Sequence, residues 1–562
     1  MITRFLQKLI LIFPIWLQPR ALHCVELFNR ARSTQQIFRD RCRFKPSQYV
    51  EAWANYFKTN NQKTGAKTTN LVITDCFDVP QWIFANSIFL NELARKLDSN
   101  IASFGFYGRK PKLNYIYRAF GASEHIMVSL SKQQRSRQSK LYTEVMERIQ
   151  TAQDLFDLRI ENIGIGLDIY ESILRSGIPT VDLDCYHTKY TIYHGLCHFV
   201  FFQDLIRSGK IKAVAPSHDC YLQIGILVKI AQNNKIPVYY ANPFEIVKSI
   251  KDHDIYSKFQ NYPKYFDTLT KTNKQKAITD AKRALNQRLC GTIGVDMPYQ
   301  IKSAFDSNNT TRQTNRNEEK IKIVIVTHCF FDNPHAFSRM NYRDFNDWLE
   351  FLGAISMQTE YEWYIKPHRD HLPGTMEALR LIEHKYPKMK LIDPDTSFHQ
   401  LRAEGVSIAL TCYGSIGHEL PILGFKVVNA AYNPHIAYDF NTTFNTRNEY
   451  EKTLLNLSEL PEVDELESLY KFYAVHHQIV KSNKLMFDDF SDLENFVKGK
   501  ILDDKCYEFY MQQAKTYTER FQSVCSVYLN HDCQYDFELR LSNWVPEPYS
   551  YDTASPPPNV SM

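Results

Sequence analysis

Ile321-Lys-Ile-Val-Ile-Val-Thr327 is the stretch that most narrows what this chain can fold into. A β-branched run broken only by Lys322 makes a strand apolar on both faces, and such strands lie in parallel sheets with helices packed above and below. The residues that follow alternate accordingly. A helix is expected over Tyr342 to Ile355, a strand at Glu362-Trp-Tyr-Ile-Lys366, a helix from Met376 to Tyr386, and a short strand at Lys390-Leu-Ile392. A helical stretch from Phe398 to Glu404 then leads to the strands Val406-Ser-Ile-Ala-Leu-Thr411 and Lys426-Val-Val-Asn-Ala430. Five strands alternating with helices predict a doubly wound α/β sheet.

The first half carries two further strand-helix-strand units. Asn70-Leu-Val-Ile-Thr74, the helical spacing from Gln81 to Leu97 and Ile101 to Phe106 form one; Ile211 to Pro216, Tyr221 to Gln232 and Ile236-Pro-Val-Tyr-Tyr240 form the other. Between the halves, Ser303 to Lys320 loses all hydrophobic period and reads as a linker. The expected division is therefore an amphipathic helical segment at 1–64, a first Rossmann-like domain at 65–302, a polar linker at 303–320 and a second at 321–500. A helical return segment at 501–540 and a flexible tail at 541–562 complete it. With 44% hydrophobic and 23% charged residues, each half can bury a substantial core.

The formal charge of +5 over 562 residues, with acidic and basic residues interspersed, points away from nucleic acid. A local basic run, Arg109-Lys-Pro-Lys112 with Arg118 and then Lys132 to Lys140, would attract an anionic surface or substrate. Twelve scattered cysteines without a Cys-x-x-Cys pair argue against zinc fingers and disulfide frameworks and fit a reducing cytoplasm. The N-terminal Met1 to Trp16 begins basic and turns apolar, but Pro14 breaks the run and no small-residue cleavage site follows. An interfacial or core-packing helix is expected there.

Open parallel sheets bind ligands at the carboxyl ends of their strands. After Thr411 comes Cys-Tyr-Gly414-Ser415-Ile416-Gly417-His-Glu419, where glycines let backbone approach a ligand and the next helix turns free N–H groups outward, an arrangement that favours phosphate. Glu419 would accept from a ribose hydroxyl. The plainer alternative is that Ser415 caps the helix and Glu419 complements its dipole. Lys366-Pro-His368 ends a strand expected beside this loop, so the ammonium would neutralise a diphosphate and the imidazole donate to it. His328, Asp332 and His335 follow the first strand of the second domain with metal-like spacing, but no fourth ligand accompanies them and no metal is expected; His328, facing the cleft, is counted instead among the catalytic candidates. In the first domain, Asp75 and Asp78 follow one strand and His218-Asp219 another; any of these would remove a proton from an acceptor hydroxyl, with His218 and Asp75 preferred. Asp182-Leu-Asp184 is too short a match to count as a metal motif, and Gly164-Ile-Gly166 lacks the third glycine of a dinucleotide fingerprint.

On Lys366-Pro-His368, the Gly414-Ser415 turn with Glu419, and Gly424-Phe-Lys-Val-Val428, the second half resembles the nucleotide-binding domain of GT-B glycosyltransferases. It is most similar to bacterial capsule polysaccharide biosynthesis proteins that include Kdo transferases. Ile163 to Tyr170 with Arg175 resembles a first-domain segment of related surface-carbohydrate proteins. Arg369 stands where that family often has a second proline, and Phe425-Lys426 replaces a small residue and proline. The resemblance implies two Rossmann-like domains facing a cleft and no cofactor beyond the substrate, a CMP- or UDP-linked sugar. Its partner would be a glycan or lipid-linked acceptor. The place implied is the cytoplasm, with peripheral contact at the inner face of the inner membrane. A nonhydrolysing sugar-nucleotide epimerase, a polyol-phosphate transferase and a noncatalytic scaffold are the alternatives for the same architecture.

Overall fold

The computed structural model describes residues 10–60, 68–77, 79–251, 254–293, 302–306, 311–317, 319–337, 340–369, 371–463, 466–480 and 504–545. Asp78, the first nine residues and the tail beyond 545 lie outside them. Two six-stranded sheets organise the chain. The first contains β1 (Leu71–Asp75), β2 (Asn100–Gly105), β3 (Ala122–Met127), β6 (Ile211–Val214), β7 (Val238–Ala241) and β8 (Ile246–Ser249). Two two-residue strands, β4 (Arg159–Ile160) and β5 (Ile163–Gly164), pair as a separate hairpin. The second sheet contains β9 (Lys322–Val326), β10 (Glu362–Lys366), β11 (Met389–Leu391), β12 (Val406–Thr411), β13 (Lys426–Asn429) and β14 (Thr442–Thr443).

Their orders are the same pattern twice: β3-β2-β1-β6-β7-β8 and β11-β10-β9-β12-β13-β14. In each, the first strand of the domain lies in the middle, the next two extend one way, and the chain then returns to extend the other way. All pairs are parallel except β7 with β8. The architecture is α/β, two doubly wound domains, each with a switch point between its central strands. β1 is buried along all five residues, which is why Leu-Val-Ile-Thr-Asp shows no alternation. Six strands rather than the expected five fill the second sheet. β3, β8 and β14 were not legible, because Ala122-Ser-Glu-His-Ile-Met127 has neither apolar run nor clean period and the other two are short edges.

The first domain is assembled from both ends of the chain. The helix Gln48–Asn60 buries Val50, Trp53, Ala54 and Phe57 against Phe84 and Phe89. The helix Asp504–Leu529 brings Phe521, Cys525, Tyr528 and Leu529 into that same core, and Gln522 donates to Glu92 at 2.6 Å. Beyond it, Lys248 N–H bonds the Gln534 carbonyl and Ile246 N–H the Asp536 carboxylate, so the returning chain covers the antiparallel edge β8. The polar linker stretch is bonded to the second domain where described. Gln313 and Thr314 N–H groups donate to Glu404, Lys322 donates to the Asn315 carbonyl, and Phe305 is buried. Its backbone is held by Glu404 and Lys322, so a stretch without hydrophobic period is still anchored.

Candidate active site

At the first switch point the loops after β1 and β6 meet. Asp75, buried at the end of β1, accepts from Ser217 N–H at 2.8 Å and from Ser217 Oγ at 2.7 Å. Ser217 Oγ also lies 2.6 Å from His218 Nδ1. The serine has one proton and commits it to the carboxylate, so Nδ1–H of His218 donates to the serine and Nε2 keeps its lone pair. Burial lowers the His218 pKa, partly opposed by Asp75, and leaves the ring neutral at neutral pH. Carboxylate, hydroxyl and imidazole thus form a line that fixes one tautomer of a neutral base, the logic of a catalytic triad with serine as the spacer.

Just beyond, Tyr221 adopts φ +64°, a left-handed conformation that costs a bulky residue on the order of 1–3 kcal/mol. It opens a single π turn, Tyr221–Gly225, before the helix Ile226–Asn233. Strain and π turns concentrate where a side chain must be aimed. Here Tyr221 Oη reaches Asp332 of the second domain at 3.0 Å, and Arg175 reaches the same carboxylate oxygen at 3.1 Å.

The second switch point lies between β9 and β12. His328, following β9, bonds Thr411 Oγ1 through Nε2 at 3.0 Å, and the same hydroxyl accepts from Gly414 N–H at 3.2 Å. The His328 ring stacks on Phe345 and tilts against Tyr413, with centroids 4.9 and 4.4 Å away, and burial pushes its pKa down to about 3. It is a neutral ring that holds the turn. Among the described residues, the N–H groups of Ser415 and Ile416 bond no carbonyl or side chain, and Ser415 does not cap the helix with its hydroxyl. That helix is one turn, Ile416–Glu419, continued as a 3-10 turn.

Several sequence expectations are corrected by this geometry. Lys366 is not beside the Thr411 turn, because β9 lies between β10 and β12. Its ammonium donates to the Pro394 carbonyl at 2.6 Å over the Phe398 ring, and burial pushes its pKa down to about 7. The exposed His368, two residues on, is close enough to His328 to depress that ring's protonation. Glu419 is 1% exposed and takes both Arg288 Nε and Nη2, at 2.6 and 2.5 Å, on one oxygen. Arg288 belongs to the helix Lys271–Leu289, so the carboxylate joins the two halves rather than opening toward a ribose. A Cβ on Gly417 would lie 2.4 Å from the His435 ring, and one on Gly414 2.9 Å from Thr411 Oγ1. Protein packing alone is enough to forbid side chains there.

The metal-like trio is dispersed: His328 to Thr411, Asp332 to Tyr221 and Arg175, and His335 to Glu171 at 3.1 Å and the Tyr342 carbonyl. Among the described residues no cluster of three or more His, Cys, Asp or Glu could hold a metal ion. Asp182 caps its own turn at Asp184 N–H, at 2.9 Å. Asp219 is half-buried and contributes negative charge around Cys220 and Tyr256.

A bridge of side chains ties the rims of the two switch points. Tyr221 reaches Asp332, and Tyr413, next to Gly414, donates to the Asn333 carbonyl at 3.0 Å. The helix Gly166–Leu174 clamps the same loop: Tyr170 donates to Asp344 at 2.5 Å and Glu171 takes His335. Ser217, Tyr221 and Glu171 were missed from sequence. A serine flanked by Pro216 and His218 carries no pattern of its own, and a left-handed tyrosine has no sequence mark.

No family model and no curated protein matches the chain. Solved structures do. Thermosulfurimonas dismutans KpsC, a beta Kdo 2,4 transferase, aligns with 11% identity and a TM-score of 0.28 over 47% of this chain and 79% of that one. UDP-GlcNAc 2-epimerase from Neisseria meningitidis, bound to UDP-GlcNAc, aligns with 11% identity and a TM-score of 0.18 over 71% and 97%. The S. aureus MnaA–UDP structure aligns with 13% identity and a TM-score of 0.19 over 86% and 100%. Overlap at this level carries nothing about chemistry.

Proposed function

We propose that the chain is a glycosyltransferase that moves a sugar from a nucleotide-activated donor, CMP- or UDP-linked, to a hydroxyl of a surface polysaccharide or lipid-linked glycan. The observation that carries this reading is the line Asp75–Ser217–His218 at the first switch point, with the Thr411–Gly414 turn and its amides at the second. In this reading His218 Nε2 takes the proton of the acceptor hydroxyl while its oxygen bonds the anomeric carbon. The bond from that carbon to the donor phosphate breaks, and the nucleotide leaves with the electron pair. The amides of Ser415 and Ile416, with His368 at the rim, meet the charge that develops on the phosphate. His328 and Thr411 hold that turn in place.

Thermal-shift measurements with CMP, UDP, GDP and their sugars test the donor side, since ligand binding to the native state raises apparent stability. Mass spectrometry of donor and acceptor after incubation then tests the reaction. A sugar-sized increment on the acceptor that disappears in His218→Ala, with the nucleotide shift kept, supports the proposal. Conversion of the donor without an acceptor would assign an epimerase instead, and a phosphate-containing increment a polyol-phosphate transferase. No shift with any nucleotide would leave a scaffold and overturn the enzyme reading.

A further inference from the structure

The helix Gln18–Arg43 is apolar along two opposite stripes. The inner one seats Leu22 and Val25 in the first domain's core, with Gln18 buried beside them. The outer one carries Cys24, Leu27, Phe28 and Ala31, gives way for one turn to Thr34 and Gln35, and resumes at Phe38 and Cys42 on the same face. It is exposed throughout: Phe38 is 66% accessible, and Trp16, on the turn before the helix, 62%.

Arginines frame this stripe. Arg32, Arg39 and Arg43 follow one border, Arg41 the other, and Arg20 stands at its head, all exposed. The acidic side chains are drawn away from it. Glu26 turns inward to Arg30 and Tyr193 at 2.8 and 2.9 Å, and Asp40 is half-buried and accepts from Gln36.

The helix also has a defined place. Arg30 covers the Phe106 ring at 4.1 Å and donates to the Val128 carbonyl, while Ile37 approaches Gly108. Those residues follow the carboxyl ends of β2 and β3, the rim that carries Asp75 and His218.

We propose that this outer stripe lies in the headgroup layer of an anionic phospholipid bilayer, with Trp16, Leu27, Phe28 and Phe38 entering the interface and the flanking arginines meeting phosphate. Docking through it turns the rim that carries Asp75 and His218 toward the membrane surface. A second copy of the chain is the poorer occupant, because pairing two such stripes sets arginine rows against each other with no acidic row to answer them. No described helix is long and apolar enough to cross a membrane, so contact of this kind is peripheral. The inference is independent of the reaction catalysed.

Co-sedimentation of the full chain with phosphatidylcholine vesicles, with and without about one third phosphatidylglycerol, tests it. The wild type is expected to pellet with the anionic vesicles and to be released by salt. Leu27→Glu/Phe28→Glu/Phe38→Glu is expected to lower the bound fraction at least about tenfold. Arg32→Glu/Arg39→Glu, which leaves the apolar stripe whole, should lose the preference for anionic lipid, so the test survives poor folding of the triple variant. Leu381→Glu, on an equally exposed side chain of the second domain, should bind as wild type. Wild-type protein left in the supernatant overturns the proposal. So does a triple variant that pellets normally, or one that merely turns a dimer into monomers.

Discussion

The two switch points share one topology and differ in chemistry. Between β1 and β6 a buried carboxylate, a hydroxyl and an imidazole are lined up behind a tyrosine held in the left-handed region. Between β9 and β12 the corresponding position holds a neutral histidine, a threonine hydroxyl and a glycine turn with outward amides. On the proposed function, the same backbone scaffold would support proton handling on one side and hydrogen-bond donation to the donor phosphate on the other. What differs is which polar atoms follow each central strand.

The largest effect that would sharpen this contrast is on rate. His218→Ala should lower transfer by about 10²–10⁴-fold while leaving the nucleotide thermal shift intact. Asp75→Asn should fall short of that, because it disturbs the tautomer without removing the base. The rate should also rise with pH to a plateau set by an imidazole titrating below its usual 6.5, since burial lowers His218. A His218→Ala enzyme that loses nucleotide affinity instead would erase the division between the two sides.

Next in size is the pair that joins the halves. Arg288→Ala or Glu419→Ala breaks a buried ion pair and should cost about 3–5 kcal/mol in urea unfolding. The double replacement should cost less than the sum of the singles. Equal and additive losses would mean that the two side chains act separately.

Smaller again is Gly417→Ala, whose methyl must displace the His435 ring and should destabilise by about 1–3 kcal/mol without altering the first switch point's pH profile. Combining it with His435→Ala should recover part of that loss.

The smallest effect is a slope. Burial pushes His328 and His435 down to about 3 and His198, in the first domain, to about 4. Above pH ~6.5 neither folded nor unfolded chain holds these protons. As pH falls from there toward 3 or 4 the unfolded chain takes them up and the folded one does not, so stability declines by about 1.4 kcal/mol per pH unit for each. His328→Gln should lower that slope by one proton's worth, measurable by denaturant titrations between pH 7.5 and 5.

Much of the scaffold was readable because buried parallel strands carry β-branched runs, as at Ile321 to Thr327 and Val406 to Thr411. The positions of Asp75 and His218 at strand ends were also legible. The direction of a side chain was not. Lys366 and Glu419 stand at the right places in sequence, yet the order β10-β9-β12 moves the lysine away and Arg288, 131 residues earlier in the chain, claims the carboxylate. Strand order and long-range pairing are properties of the folded sheet and leave no local trace.

The return of Phe521, Cys525 and Tyr528 to a core begun by Val50 and Trp53 has a consequence for synthesis. The second sheet is complete on the nascent chain before the first domain can close, so at roughly 5–20 residues per second the earlier domain waits about 10–50 s with an open apolar face. A fragment ending at the linker would keep that face exposed permanently. The later-made domain is therefore the one that can fold first.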